Sequence, residues 1–492
     1  MIMIKSDDKQ HRSILQKIAR NTMIERGLLP DFSTQAMAEL DRINGSTKVE
    51  GSVRDLRNLL WCSIDNDESL DLDQLTVAIP MPDENLKILV AIANVEAIVK
   101  KDSALDEHAS HNTTSVYTAA QIFPMLPEKL STDLTSLNLE SERPALIIEM
   151  TIGPDGSLKD SDVYQALVLN RAKLAYNSVA AWLEGNRSKP EAINKINGLT
   201  ENIQLQDQAA KLLKTLRYAQ GALDLETIEV RPVFDGEEVK ALEIDKGNRA
   251  KDIIEDFMVA ANGVAARFLE TKKYSSIRRV VRKPKRWDRI VDLASEHKFV
   301  LPQQPDSKAL DQFLLSIKTI NPLGFPDLCL SVIKLLGRGE YVLELPGESS
   351  EGHFGLAVKD YAHSTAPNRR FPDLVTQRLL IAAMKGQASP YTNDELADLA
   401  KHCTEEEDAA KKVERQVGKS VAAILMESRI GEKFDAIITG AADKGTWVRL
   451  MNPPIEGKLV EGFKGMDVGQ RLKVQLIHTD VEHGFIDFKK SF

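Results

Sequence analysis

Apolar residues in the first fifty positions recur at helical spacing and predict two short helices, Gln10–Arg26 and Ser33–Ile43, the second with Ser33 as its N-cap. From Trp61 to Asn94 the pattern changes to strands. "LTVAIPMPDENLKILVAIAN" reads as a hairpin, two apolar runs around a turn that carries Pro82, Asp83 and Asn85. The same arrangement returns in "PALIIEMTIGPDGSLKDSDVYQALV", with a Pro154–Gly156 turn, and in "IEVRPVFDGEEVKALEI", with its turn at Asp235–Gly236. Amphipathic helices are predicted over Asn170–Glu184, Glu201–Gln220 and Asn248–Thr271. Helices dominate from Trp287 to Leu336, and two more cover 373–386 and 393–427, with Gly386 and Gly431 near their ends. The tail has short apolar runs separated by Gly, Asp and Pro. About five strands in about sixty residues suggest a small OB-type barrel. The pattern predicts an α+β protein in three parts: a short helical N-terminal segment (1–50), a large mixed domain (51–430) and a C-terminal OB-type barrel (431–492). No internal repeat or low-complexity tract interrupts it.

Composition narrows this picture. At 492 residues the chain exceeds one simple core, and 42% apolar content suits a folded protein. The net charge of -9 argues against global attraction to a polyanion but leaves room for a local basic surface. Cys62, Cys329 and Cys403 lie far apart, which indicates neither a disulfide framework nor a zinc site and suits a reducing compartment. The start, "MIMIKSDDKQHRSILQ", lacks an apolar leader core, and the run "LKILVAIANVEAIV" is short and broken by Glu96. A cytoplasmic monomer without a membrane span is expected.

Two stretches carry candidate chemistry. "WCSIDNDESLDLDQLTVA" places Asp65, Asp67, Glu68, Asp71 and Asp73 between two strand-like runs. Crowded carboxylates repel, and setting them beside buried strands is costly unless a cation or water offsets the charge. Magnesium takes oxygen ligands, commonly one or two protein carboxylates plus substrate phosphates. Asp71 and Asp73 share a face if the segment is extended, and Asp65 joins them if the chain loops back. The competing reading is a solvated acidic loop. The second stretch, "YAHSTAPNRRFPDL", sets Arg369 and Arg370 after a Pro-Asn turn. A guanidinium can bond two phosphate oxygens at once. The competing reading here is an ion pair with Asp360 or Asp373. Acids for metal and arginines for phosphate are the components of phosphoryl-transfer hydrolysis.

Together the two stretches resemble the ribonuclease II/R (RNB) family of hydrolytic 3′→5′ exoribonucleases, whose catalytic domain carries an "xIDxxxxxDxDDA"-like motif early and "YxHxTSPIRRYxDL" late. "PMLPEKLSTDLTSLN" is similar to a further stretch of that family, and the likeness spans roughly residues 54–430, with a barrel of the expected kind behind it. The resemblance implies a magnesium-dependent enzyme that degrades single-stranded RNA. It implies that Asp65, Asp71 and Asp73 organise Mg2+ and the attacking water, with Asp73 the acid tied most directly to cleavage. Arg369 would hold the scissile phosphate, with Arg370 beside it. Tyr117 and Tyr176 match tyrosines that contact the last bases, and Glu255 and Glu414 match acids near the RNA 3′ end. Without the family, the tyrosines read as core aromatics and the two glutamates as solvated helix positions.

The chain also departs from the family pattern. Gln74 stands where the common motif has a fourth Asp, offering a carbonyl oxygen but no charge. Leu225 sits where many members place an aromatic that clamps the terminal base, so stacking worth ~1–3 kcal/mol per base is missing. "TAPN" replaces "TSPI", and Phe371 replaces Tyr. The first fifty residues are too short for the family's usual pair of N-terminal cold-shock barrels, as in a divergent bacterial branch. "KKYSSIRRVVRKPKRWDR", with nine basic residues against one acid, is a candidate mouth for RNA phosphates or a solvated basic loop. In the barrel, Phe434, Trp447, Phe463 and Phe485 lie near Lys444, Arg449 and Lys458, a composition suited to single strands. The alternative function is an RNA-binding protein with a degenerate nuclease site, which Gln74 and Leu225 favour. A triphosphatase would need "VGKS" at Val417–Ser420 to be a P-loop, but Val413 occupies the position of its first glycine and the run is helical.

Overall fold

In the computed structural model, residues 10–43, 45, 53–348, 351–442, 445–466 and 468–491 are described, so the expected segment 1–50 is seen only in part. Two helices come first, α1 (His11–Glu25) and α2 (Thr34–Arg42). Ser33 caps α2, its hydroxyl accepting the Ala36 amide at 3.1 Å. The strands β1 (Arg54–Asp55), β2 (Cys62–Asp65), β3 (Gln74–Pro80) and β4 (Leu86–Ala93) follow, then α3 (Ala104–Asn112) and a short pair, β5 (Val116–Tyr117) and β6 (Ile122–Phe123). With β7 (Glu142–Ile152), β8 (Leu158–Leu169) and β9 (Ala172–Ala175) they build a seven-stranded mixed sheet of order β1-β8-β7-β4-β3-β2-β9, from which β5 and β6 stand apart.

Both faces of this sheet are covered, which explains why its central strands read as continuous apolar runs. Along β4, Ile88, Val90 and Ile92 enter one core while Leu89, Ala91 and Ala93 enter another. After α4 (Tyr176–Leu183) and the short α5 (Glu191–Asn194), the first core is closed by α6 (Leu199–Ala219) and, after a β10 (Glu229–Asp235)–β11 (Glu238–Asp245) hairpin, α7 (Arg249–Thr271). Ile253, Phe257 and Ala261 of α7 pack on that face.

The next part is a helical unit inserted between two paired strands. β12 (Ser276–Val280) runs antiparallel to β13 (Glu340–Glu344), and between them α8 (Trp287–Glu296), α9 (Ser307–Ile320) and α10 (Phe325–Leu336) enclose their own core. α11 (Phe371–Met384) then crosses the main core, and α12 (Asn393–Glu427) runs for 35 residues from a Thr392/Glu395 capping box. β14 (Lys433–Ala442), β15 (Gly445–Leu450), β16 (Glu456–Glu461), β17 (Arg471–Asp480) and β18 (Phe485–Lys490) close a barrel of order β14-β15-β16-β18-β17. The α+β architecture and terminal barrel agree with the sequence reading. Among the described residues no helix is long and apolar enough to cross a membrane.

One predicted element is different. Residues 170–184 were expected as a single helix, but 172–175 form β9, parallel to β2, and the helix starts only at Tyr176. The edge of β2 offers unpaired backbone groups, and Ala172 and Leu174 alternate inward to meet them. The change matters for function. The register Asp65↔Ala175 sets Tyr176 next to the end of β2, where Asp65 lies.

Candidate active site

The acidic segment leaves β2 at Asp65 and returns to the sheet at Gln74, which opens β3 opposite Ile92. Between them the backbone is irregular but pinned: the Leu72 amide donates to Ser136 Oγ and its carbonyl accepts the Leu137 amide. Leu72 is thereby held in the core, and Asp71 and Asp73 project to the opposite side.

The segment before α11 arrives from the far end of the domain. Asn262 of α7 accepts from both the amide and the hydroxyl of Ser364, and Asp373 Oδ1, in the first turn of α11, accepts the Ala366 amide at 2.8 Å. A tight turn follows, with the Arg369 and Arg370 amides both donating to the Ala366 carbonyl. The Ser115 amide donates to the Arg369 carbonyl and the Phe371 amide to the Thr113 carbonyl. This stitching carries β5, and with it Tyr117, beside the arginines.

The centre is a buried ion pair. Arg369 Nε donates to Asp73 Oδ2 at 3.0 Å, and the Asn368 amide donates to Asp73 Oδ1 at 3.2 Å. Asp73 is 1% exposed, whereas the Arg369 side chain is 42% exposed and its two terminal nitrogens form no hydrogen bond with the described residues. Burial pushes the Asp73 carboxyl up to about 7; Arg369 opposes that shift and the Asp71 charge adds to it. Asp65 is raised too, chiefly by burial, although the Asn66 amide and Ser69 support its charged form. Tyr117 Oη donates to Asp71 Oδ2 at 3.2 Å. Tyr176 feels the charges of both Asp65 and Arg369. Tyr117, Tyr176 and Asp71 line a cleft of about 590 Å³ that runs past Ser69, Ile122 and Asn177.

Asp65, Asp71, Asp73, Tyr117, Tyr176 and Arg369 therefore meet at one place. Glu414 is one step behind it: on α12, its Oε1 accepts the Tyr117 amide at 2.9 Å and so braces the tyrosine's backbone. Arg370 turns away, its Nη2 bonded to Asp373 Oδ1 at 2.8 Å, which is the ion pair that was the competing reading for these arginines. Asp373 also anchors the turn, and that double use draws Arg370 inward. Glu255, on α7, is exposed and lies 3.5 Å from Arg217. Leu225 packs on the core of α8, α9 and α10. The basic stretch 272–289 is not a free loop. Arg278 and Arg279 are buried in β12, paired with Glu344 and Glu407. Of the barrel aromatics, Phe434 is buried and Phe463 and Phe485 are exposed.

A residue at the centre that the sequence reading passed over is Asn368. It is fully buried; Thr135 Oγ1 donates to its side-chain carbonyl, its amide reaches Asp73, and its Nδ2 has no partner among the described residues. The departure "TAPN" was the signal for it.

The donor set fits a hard divalent cation. It is all oxygen, and it includes a buried carboxylate held by only one guanidinium and one amide. Among the described residues no three acidic, His or Cys side chains form a ready-made cage, because each carboxylate is taken by a different donor. Such an open set suits Mg2+, which keeps waters and takes substrate phosphate oxygens.

The RNB domain family matches residues 53–386, and the RNase II-type exonuclease C-terminal S1 domain matches residues 432–491. Ribonuclease R 1 of Lactococcus lactis is 29% identical over 467 residues, 88% of this chain and 56% of that protein. Ribonuclease R of Vibrio parahaemolyticus is 30% identical over 471 residues, 88% of this chain and 55% of that protein. The chain thus spans about half the length of the curated relatives it matches. Among solved structures, Mycoplasma genitalium RNase R in complex with ribose-methylated single-stranded RNA matches with a TM-score of 0.86 at 22% identity, over 97% of this chain and 78% of that one. That likeness shows a shared fold.

Proposed function

Because the chain belongs to the RNB family, we propose that it is a magnesium-dependent hydrolytic 3′→5′ exoribonuclease that shortens single-stranded RNA to 5′-mononucleotides. The observation that carries this reading is the Asp73–Arg369 pair, a buried carboxylate under a half-exposed guanidinium, flanked by two further acids and two tyrosines. The catalytic unit is residues 51–430, the barrel 431–492 guides RNA, and the chain acts as a cytoplasmic monomer.

Asp65, Asp71 and Asp73 would hold the metal, which when bound supplies an acidified water and offsets charge on the phosphate. Arg369 keeps Nε on Asp73 and turns its free terminal nitrogens to two phosphate oxygens. That pairing fixes the guanidinium before substrate arrives. Tyr117 and Tyr176 offer ring faces to the last bases, and single strands are selected because only unstacked bases can use them. Leu225 packs on the terminal base without stacking, Glu255 and Glu414 stand near the 3′ end, and Arg370 supports Arg369 from behind through Asp373.

The test is shortening of a 5′-labelled single strand in Mg2+ by the unmodified chain and by Asp73→Asn. Stepwise shortening from the 3′ end by the former alone is expected. Intact RNA with retained binding by the unmodified chain would instead favour a binding protein with a degenerate site, the reading that Gln74 and Leu225 support.

A further inference from the structure

Behind α7, away from the acidic segment, lies a second cleft of about 690 Å³. It is bounded by α6, α7, the β7–β8 turn and residues 357–360. Its floor carries Asp256, a side chain 1% exposed; Oδ1 accepts from Arg217 Nη2 at 2.7 Å and Oδ2 has no partner among the described residues. Burial raises this carboxyl to about 6 despite Arg217. Its wall is apolar, with Leu213, Leu216 and Val259. At its rim the Arg267 guanidinium forms no hydrogen bond with the described residues, while the Arg267 carbonyl accepts from Thr271 Oγ1. That guanidinium lies back over Gly263, one turn earlier in α7, where an added Cβ would come within 3.1 Å of Nη1. Glycine inside a helix costs about 1 kcal/mol relative to alanine. Its effect here is to leave room for the guanidinium at the mouth of the cleft.

The lining is amphoteric: Arg267 stands at the rim with Lys359 and the Asp360 charge near it, followed by an apolar wall and a buried acceptor at the floor. A bare anion fits this poorly, because the Asp256 oxygen would repel it at depth. A molecule with a phosphate at one end and hydroxyl donors at the other fits well. Its phosphate would stay at Arg267, its base would lie on the leucine wall, and a sugar hydroxyl would donate to Asp256 Oδ2. We propose that this cleft binds a nucleoside 5′-monophosphate and receives the product released by the nuclease site.

A single residue joins the cleft to Glu255, an acid that the family resemblance sets near the RNA 3′ end. Arg217 Nη2 lies 2.7 Å from Asp256 on the cleft side and 3.5 Å from Glu255 on the other. The Leu223 amide also donates to the Gly355 carbonyl, so the segment leading to Leu225 lies against the chain that continues into the cleft wall. Assigning the ligand as product rests on the exonuclease reading; the nucleotide site itself does not.

Binding is measured calorimetrically on full-length Asp73→Asn with AMP, adenosine and inorganic phosphate in turn. AMP is expected to bind at least about tenfold more tightly than either fragment, and Arg267→Gln in the same background to weaken it about tenfold, as loss of a charged hydrogen bond predicts. Arg369→Ala should leave AMP affinity unchanged. Photo-cross-linking of the otherwise unmodified chain with 8-azido-AMP is independent of any variant's folding, and should label peptides from 256–267 or 357–360. Phosphate binding as tightly as AMP, AMP affinity insensitive to Arg267→Gln in a folded variant, or labelling confined to the acidic cleft would each overturn the site. RNA shortening without AMP binding would remove this site and leave the exonuclease reading intact. AMP binding without RNA shortening would do the reverse for the function and keep the site.

Discussion

Two arginine–carboxylate centres lie close along the chain, one just before α11 and one within it. Around Arg378, in α11, Nε meets Glu96, Nη1 meets the Tyr391 hydroxyl, and Nη2 meets the Val99 carbonyl and Asp106. That guanidinium is 2% exposed and fully engaged. Around Arg369, nine residues earlier, one nitrogen is bonded, the two terminal nitrogens form no hydrogen bond with the described residues, and the side chain is 42% exposed. A saturated guanidinium holds elements together and has nothing left to offer a ligand. An unsaturated one, with its carboxylate still buried, retains donors for an incoming anion. The two guanidiniums differ both in exposure and in the number of bonds left unmade, while the carboxylates Asp73 and Asp106 are buried in each case.

The sharpest test of that contrast exchanges the roles. Asp73→Asn should lower RNA shortening by at least ~10³-fold, as for loss of a main electrostatic element of a site, while RNA affinity changes little. Equal loss of cleavage and binding would show Asp73 to be a binding residue and erase the distinction. Arg378→Ala should behave in the opposite way, costing ~3–5 kcal/mol in urea unfolding because it strands buried carboxylates, yet leaving near-normal turnover per folded molecule. Arg369→Ala should cost roughly 10²-fold in shortening with little change in the urea midpoint, since that side chain already reaches solvent.

The Asp73 carboxyl provides a pH test. Its folded pKa is raised from an ordinary value near 4 to about 7, so its burial as the neutral acid favours folding at low pH. That contribution is lost as pH rises through about 7. In EDTA, thermal stability of the unmodified chain should therefore decline relative to Asp73→Asn between about pH 4 and 7. Mg2+ at about 100 times its Kd should restore ~2.7 kcal/mol to the unmodified chain at pH 8 and much less to the variant. A variant that responds equally to Mg2+ would place the ion elsewhere. The smallest effect is expected for Gln74→Asp, a reduction of roughly two- to threefold in the Mg2+ needed for half-maximal shortening through one added charge. An unchanged titration would set Gln74 apart from the ion.

Much of this architecture can be read along the chain where local rules act alone. The 393–427 helix has a capping box, sustained helical spacing and no proline, and it runs as expected through Gly418. The three hairpin turns fall where their Pro, Asp, Asn and Gly residues predict. What local rules miss is set by distant partners. Residues 172–175 are a strand only because β2 leaves an edge open. Arg369 and Arg370 are chemically identical neighbours, and their division of labour depends on Asp73 and Asp373 approaching from different elements. Glu414 reads as a surface helix position until β5 is laid against it. The motifs therefore identify which residues meet, while their individual roles emerge only from the donor each one is given.

The longest helix has a mechanical consequence. At ~1.5 Å per residue, α12 is a rod of about 50 Å. It touches α1 and β5, and it meets β17 and β18 of the barrel, where Gln416 donates to the Glu482 carbonyl. Only a few residues separate its end from the first barrel strand, too few to act as a slack tether. A displacement of the barrel would therefore be passed through Gln416 to Glu414, two residues before it, and from there to the Tyr117 backbone.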